Sequence, residues 1–431
     1  MYAQVAVENV NCTFDKDYDY SIPQQLEGKA LVGRVAVPFG IGNRKRIGII
    51  TRLTDSTQGK RIKSISAVLD EAPLLSNEMM SLARWISEQT FCTYYEAVKA
   101  MLPVGINHKI IRSFCAVPGV DESIVASLDS DEKQVYDYLL SRSGYVKSEN
   151  FLKTLGFDVS SDIPERLLKV GLLAANDDAV RNIGDNNIRM VRLCEGSDDV
   201  SMTKKQSEVV NVLKDVGSVS VKELCYFTGY TPSVISALEK KSVVECFERE
   251  ELRSFVSRYA VQSAYDSGEI HLTDEQQKAY AGLLEDYKSG TGKTALLYGV
   301  TGSGKTSVYL KLIDAVLADN KTVIVMVPEI SLTPQTLSVF HSRYNDGVAV
   351  FHSALSAGER ADEWKRVKNG DAKIVIGTRS AVFAPLENIG LIIIDEEQEH
   401  TYKSEQTPRY NAKSVARYRA AWHKGLTLLA C

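Results

Sequence analysis

The stretch Gly299-Val300-Thr301-Gly302-Ser303-Gly304-Lys305-Thr306 decides how this chain is read. It is a complete G-x-x-x-x-G-K-T phosphate loop, set between an apolar strand candidate, Ala295–Val300, and a helical pattern, Ser307–Leu317. Glycines at 299, 302 and 304 let backbone N–H groups turn toward phosphate oxygens at a helix N-terminus, where the dipole favours anions. Gly299, Thr301, Gly302, Ser303, Gly304, Lys305 and Thr306 are therefore the candidate ATP-binding residues. Lys305 neutralises phosphate charge, and Thr306 offers its hydroxyl to Mg²⁺. An imitation just upstream, Ser289–Thr294, has Tyr287 in place of the first glycine and follows a helix, Gln276–Tyr287, instead of a strand. It is set aside on position.

Ninety residues beyond Lys305, Leu391–Ile394 followed by Asp395-Glu396-Glu397 has the form of a Walker B strand. Asp395 is the second candidate Mg²⁺ ligand, and Glu396 the base that orients the attacking water. Lys305, Asp395 and Glu396 form the catalytic set. Thr273-Asp274-Glu275-Gln276 is a capping box in which Gln276 sits at N3; the same residue is equally a candidate adenine reader. Further strand candidates, Thr322–Val327, Val348–Phe351 and Ile374–Ile376, are separated by helical stretches, which indicates a parallel α/β sheet. The segments Pro328–Gln335, with Glu329 and Thr333, and Gly377–Ala381, with Thr378 and Arg379, each follow such a strand. The carboxyl ends of strands face the ligand in open α/β sheets, and these groups suit a phosphodiester backbone.

Upstream of this lobe, the first hundred residues alternate as strands at Ala3–Val10, Gly33–Gly40 and Arg46–Ile50, then turn helical at Asn77–Glu88 and Tyr94–Met101. A small, partly closed β-unit with a helical tail is expected. Asp131–Asn176 and Thr203–Glu248 then share one layout of three helices and an apolar wing, which reads as tandem winged-helix modules joined by the polar Glu195–Asp199. Such modules serve as spacers as often as they read DNA.

The chain has 431 residues, 44% hydrophobic and 25% charged, with net charge −4, which excludes a uniformly basic nucleic-acid coat. A local basic run remains: Arg44, Lys45, Arg46, Arg52, Lys60, Arg61 and Lys63 against Asp55 alone. Seven scattered cysteines without a Cys-x-x-Cys pair speak against a disulfide scaffold or a four-thiolate zinc site. No apolar run reaches the ~18 residues of a membrane span, and the N-terminus has no signal-peptide pattern, so a cytoplasmic location is expected.

These residues resemble the PriA family of replication-restart helicases (primosomal protein N′) of superfamily 2. The resemblance rests on Gly299–Thr306, Val327–Gln335, Phe351–Ser356 with Glu359, Arg360 and Trp364, Ile376–Pro385, and Asp395–Tyr410, together with Tyr18–Pro23 and Val37–Gly40. It implies a module that captures the 3′ end of a nascent strand, with Tyr18, Asp19, Gly40 and Lys63 around the terminal nucleotide. It also implies an aromatic-rich loop, containing Lys403, Arg409 and Tyr410, that couples DNA contact to ATP hydrolysis. The expected fold is multidomain α/β: a β-rich 3′-end DNA-binding domain over 1–105, a winged-helix domain over 115–195, a second winged-helix-like module over 200–260, and a P-loop, RecA-like helicase lobe over 268–431.

The function implied is ATP-dependent 3′→5′ DNA unwinding at stalled forks. The implied cofactors are ATP and Mg²⁺, and the implied partners forked and single-stranded DNA, primosome proteins and single-stranded DNA-binding protein, with no membrane. Departures are Gln398 where the family has histidine, with His400 two residues on, and Arg409-Tyr410-Asn411-Ala412-Lys413 in the loop. The chain ends at Cys431, at the start of the strand leading to the family's next motif. A second motor lobe, its arginine finger and the cysteine ligands of the family's Zn²⁺ are therefore expected to be missing, and the isolated chain to hydrolyse ATP weakly. The alternatives are a non-catalytic protein that binds forks and ATP, and a translocase of another superfamily 2 branch; the latter has no use for a 3′-end pocket.

Overall fold

The computed structural model describes all residues except 11–14, 31–32, 41, 58, 60, 71, 107, 121, 182–186, 195–201, 251–269 and 301. The expected linker Glu195–Asp199 and Thr301 of the phosphate loop lie outside the described residues. The chain divides into two compact units, Met1–Asn182 with Val256–Cys431, and Ile183–Phe255.

The first unit opens with six strands: β1 (Tyr2–Val7), β2 (Tyr18–Ser21), β3 (Arg34–Phe39), β4 (Arg44–Thr54), β5 (Lys63–Ser64) and β6 (Ala67–Val68). Their order is β5-β2-β1-β4-β3-β6. The two outer strands are joined in sequence by Ile65 and Ser66 alone, whose amides donate to Ser21 O at 3.0 Å and Ala36 O at 2.8 Å. The sheet thus closes on itself, which removes its edges. Alternation places Ala3, Val5 and Val7 inside with Tyr20, Val35, Val37, Ile50 and Ile65.

On the outer face, Ala6 and Ile49 pack on α1 (Asn77–Thr90) and α2 (Tyr94–Met101). Ser76 caps α1, and a Thr93–Glu96 capping box starts α2. Met79, Leu82, Ala83 and Ile86, at helical spacing, form the buried stripe of α1. Then come β7 (His108–Ala116), α3 (Glu122–Ala126), α4 (Ser130–Leu140), β8 (Val146–Lys147), α5 (Ser148–Thr154), α6 (Ile163–Lys169) and β9 (Leu173–Arg181), with sheet order β8-β7-β9.

The second unit repeats that topology: β10 (Asn187–Leu193), α7 (Lys204–Val216), β11 (Ser218–Ser220), α8 (Val221–Thr228), α9 (Pro232–Lys240) and β12 (Val244–Glu250), in order β11-β10-β12. In both modules the central strand precedes the first helix. The sequence reading placed only the strand after the third helix, because Asn-Ile-Arg-Met-Val-Arg-Leu is half polar and gives no apolar run.

The remaining elements are α10 (Asp274–Lys288), β13 (Thr294–Leu297), α11 (Lys305–Ala318), β14 (Thr322–Met326), α12 (Pro334–Tyr344), β15 (Val348–Phe351), α13 (Ala357–Asn369), β16 (Ile374–Gly377), β17 (Ile389–Ile394), α14 (Ala412–His423) and β18 (Leu426–Ala430). The sheet order is β13-β18-β17-β14-β16-β15, and every pairing is parallel. β13 ends at Leu297, three residues before the expected limit, where the chain turns into the phosphate loop. The imitation loop is structural: Tyr287 is buried with its hydroxyl 2.9 Å from Asp319, and Lys293 pairs with Asp286 at 2.7 Å.

No boundary separates the helical tail from this lobe. Met79, Leu82 and Ile86 share one buried cluster with Ile324, Met326, Trp364, Ile392 and Val415. At its centre Arg419, fully buried on α14, donates from Nε and Nη2 to Glu78 at 2.7 and 3.0 Å, and to the carbonyls of Val382, Ala384 and Leu386. Burial pushes the Glu78 carboxyl up. The hydrogen bond from His423 and the charge and hydrogen bonds of Arg419 together outweigh it and hold its pKa at about 2.

Removing one partner leaves the other charge buried, so Arg419→Met should cost about 3–5 kcal/mol in urea denaturation, and Glu78→Gln/Arg419→Met together clearly less than the sum of the single changes. A depressed carboxyl stabilises above its unfolded pKa and ceases to do so as pH falls through the folded value. In the wild type Glu78 should therefore contribute roughly 3 kcal/mol above about pH 5 that is lost as pH falls toward 2, and Arg419→Met should show a smaller loss over that range in urea denaturation at stepped pH.

Candidate functional site

The phosphate loop joins β13 to the N-terminus of α11, with Gly302 and Gly304 at φ +81° and +77°. At Gly304 the left-handed φ strains any side chain, and a Cβ would also displace the Gln276 amide that braces the loop. Gln276 caps α10 by accepting from Thr273 N at 3.0 Å, while its Nε2 donates to Ser303 O at 2.9 Å. One side chain thus starts a helix and braces the loop. Lys305 folds back to donate to Gly299 O and Val300 O, carbonyls it would exchange for phosphate oxygens.

β17 delivers Asp395 and Glu396 opposite the loop. Asp395 N donates to Met326 O at 2.9 Å and Glu397 N to Ala430 O at 2.9 Å, so the acidic turn is anchored to strands on either side. Glu396 has φ 45°, a left-handed conformation rare for a non-glycine residue and typical of functional turns. Burial raises the Asp395 carboxyl, against the Glu396 backbone hydrogen bond and the charge of Lys305. Tyr309, one turn into α11 and missed by the sequence reading, joins the pair: its hydroxyl lies 3.1 Å from Thr306 Oγ1 and 3.5 Å from Asp395 Oδ2. A hydroxyl and a half-buried carboxylate meeting at one phenol suit Mg²⁺, which takes few protein ligands and completes its shell with water and phosphate. Among the described residues no group of three His, Cys, Asp or Glu side chains forms a metal site.

Behind the acidic turn, Tyr402 is buried and its hydroxyl lies 2.6 Å from Asp395 O and 3.2 Å from Met326 O. This attaches the 400–410 loop directly to the end of β17. Three of the candidate DNA residues are turned inward. Arg379 donates to Thr401 O and Lys403 O at 3.2 and 2.6 Å; Tyr410 is buried edge-on to Phe383 at 4.8 Å; Thr378 is buried. Thr378 and Tyr410 are buried in the loop, while Arg379 is half-buried and spans it. Lys403 and Arg409 are exposed, with Lys403 Nζ 2.6 Å from Arg409 O, and Glu329 and Thr333 are exposed beyond β14. Gln398 and His400 are exposed too.

The N-terminal candidates converge on one rim of the barrel. Tyr18 packs edge-on to Phe39 at 5.0 Å, the next residue Gly40 (φ +70°) accepts from Lys63 Nζ at 2.6 Å, and Lys63 pairs with Tyr20 across β2 and β5. Asp19 Oδ2 accepts from Thr57 at 2.6 Å and Oδ1 from Gln4 at 3.5 Å. Thr57 and Gln4 carried no sequence signal. Two members of the basic run point elsewhere: Arg44 pairs with Glu165 at 2.9 Å and Lys45 donates to Asp177 O at 2.8 Å, docking the barrel on the first three-helix module.

Tyr309→Phe removes one hydrogen bond of about 1 kcal/mol. It should weaken binding of an ATP analogue about fivefold with Mg²⁺ present and leave Mg²⁺-free binding unchanged, as read by isothermal titration calorimetry.

Residues 4–103 match the family described as the PriA 3′ DNA-binding domain, and residues 273–421 the DEAD/DEAH-box helicase family. The replication restart protein PriA of Bacillus subtilis is 35% identical over 98% of this chain and 52% of its own length. That of Synechocystis is 32% identical over 94% of this chain and 48% of its own. The chain spans about half the length of these curated relatives. Among solved structures, the Pyrococcus furiosus Hef helicase domain aligns at TM-score 0.28 with 20% identity over 36% of this chain and 31% of that one, too little to bear on the fold. With a match to a 3′ DNA-binding domain, a match to a helicase domain and similarity along nearly its whole length to one set of relatives, the chain is similar to replication restart PriA proteins over about half of their length.

Proposed function

We propose that the protein acts in replication restart as an ATP-dependent DNA helicase that captures the 3′ end of a nascent strand at a fork. The observation that carries this reading is the barrel rim, where Tyr18, Asp19, Gly40 and Lys63 converge in the same chain as a complete phosphate loop and Walker B turn. Asp19 accepts two hydrogen bonds, and a carboxylate has room for about four, so a terminal 3′-hydroxyl can donate to it. A 3′-phosphate would instead set negative charge against negative charge. Tyr18 offers an aromatic face to the terminal base and Lys63 a charge to its phosphate.

In the lobe, Gln276 and the loop from Gly299 to Thr306 hold the nucleotide, with Lys305 on the phosphates. Thr306 and Asp395 hold Mg²⁺, whose chemistry there is to offset phosphate charge. Glu396 orients the water and accepts its proton. Tyr402 carries strain between the acidic turn and the DNA-facing loop, whose exposed Lys403 and Arg409, with Glu329 and Thr333, meet the strand. Unwinding runs 3′→5′ in the cytoplasm, ahead of replicative helicase loading with primosome proteins and single-stranded DNA-binding protein. The two three-helix modules act as winged helices.

The test is fluorescence anisotropy on forks ending in a 3′-hydroxyl or a 3′-phosphate, at two salt concentrations, because phosphate contacts alone depend steeply on salt. The wild type should prefer the hydroxyl roughly tenfold, a preference that Asp19→Ala abolishes. Equal binding of both forks by the wild type would refute the 3′-end reading.

A further inference from the structure

A cavity of about 270 Å³ lies in the seam between the end of α2 and the motor lobe, away from both the phosphate loop and the barrel rim. Its apolar walls include Phe351 and Trp364, and its polar lining is Lys99, His352, Arg360 and Ser380. Among the described residues no carboxylate lines it. His352 Nδ1 accepts from Ala354 N at 3.2 Å, so the neutral ring carries its proton on Nε2 as a donor. Arg360 Nε donates to Leu355 O at 3.0 Å, which holds the guanidinium in place on α13. Lys368 fixes the seam behind Trp364, with Nζ 2.6 Å from Pro73 O and 5.1 Å from the ring.

Donors around an apolar floor suit a ligand with an anionic group and a flat apolar body. A nucleotide unit has both. The cavity opens where β15 and β16 end, beside His352 and Ser380, which is the side of a parallel sheet that meets ligands.

We propose that this seam takes one unstacked nucleotide of the DNA strand, its base against Phe351 and Trp364 and its phosphate among Lys99, Arg360 and His352. The inference rests on the reading of the lobe as a DNA motor. A base lodged there touches the helical tail and the lobe at once, so it sets the register of the strand against the whole body.

The experiment uses the full chain and forks carrying 2-aminopurine at successive positions of the single strand. The wild type should change the emission at one position only. Val104→Trp plugs the mouth, where Val104 is half exposed, and Lys99→Glu reverses a charge at the rim. Each should erase that positional signal and weaken fork binding roughly tenfold, with thermal melting by circular dichroism as the fold control. A flat emission profile with tight fork binding would overturn this inference alone. A profile identical in the variants, or a seam that takes an acidic apolar peptide and no oligonucleotide, would overturn it too. Absence of fork binding by the wild type would overturn the motor reading along with it.

Discussion

Arg419 is wholly buried in the side of the motor lobe, and the carboxylate that answers its charge belongs to Glu78, 341 residues earlier in the chain. An isolated guanidinium at that depth is prohibitively costly, so the lobe needs α1 in place to fold with this residue in its core. Arg34 repeats the device one step outward: it is paired with Asp70 at 2.6 Å and donates to Ile106 O, which ties the barrel to the 3-10 turn Val104–Ile106 that follows α2. The two pairs make a chain of fixed contacts from the barrel to the ATP-binding sheet. Buried pairs of this kind add little net stability over apolar packing, but they tolerate only one arrangement.

The consequence for function is geometric. A pocket for a strand end is useful to a motor only if the distance between them is set. Here α1 and α2 share their buried side chains with the face of the sheet opposite α11, so the barrel rim and the phosphate loop belong to one body. Within that body two tyrosines connect the parts that must act together. Tyr309 touches both Thr306 and Asp395, and Tyr402 touches the backbone of Asp395 from the 400–410 loop. Each hydroxyl holds a candidate site group in position.

Much of the site was legible because its chemistry is local. The phosphate loop, the acidic turn and the Thr273–Gln276 box each lie within one short window, where spacing alone states the geometry. The parallel sheet followed from apolar runs between helices, and Leu426–Ala430 completed it between β13 and β17. What escaped depends on distant partners. Nothing near Glu78 or Arg419 announces a pair. The sequence reading offered Arg379 and Tyr410 as DNA contacts from their chemical type; the structure adds internal partners that spacing did not announce, loop carbonyls for Arg379 and Phe383 for Tyr410. Barrel closure turned on Ile65 and Ser66, two residues with no strand pattern of their own.

The claim that α1 and α2 are part of the motor lobe, and not an appendage of the barrel, is open to direct measurement. Native-state hydrogen exchange along a urea series reports which amides open together. The amides of Met80–Thr90 should exchange with the same urea dependence as those of β14 and β17. If they open at lower urea together with β1–β4 while the lobe strands stay protected, the seam is not a shared core and the fixed relation between strand-end pocket and ATP site fails.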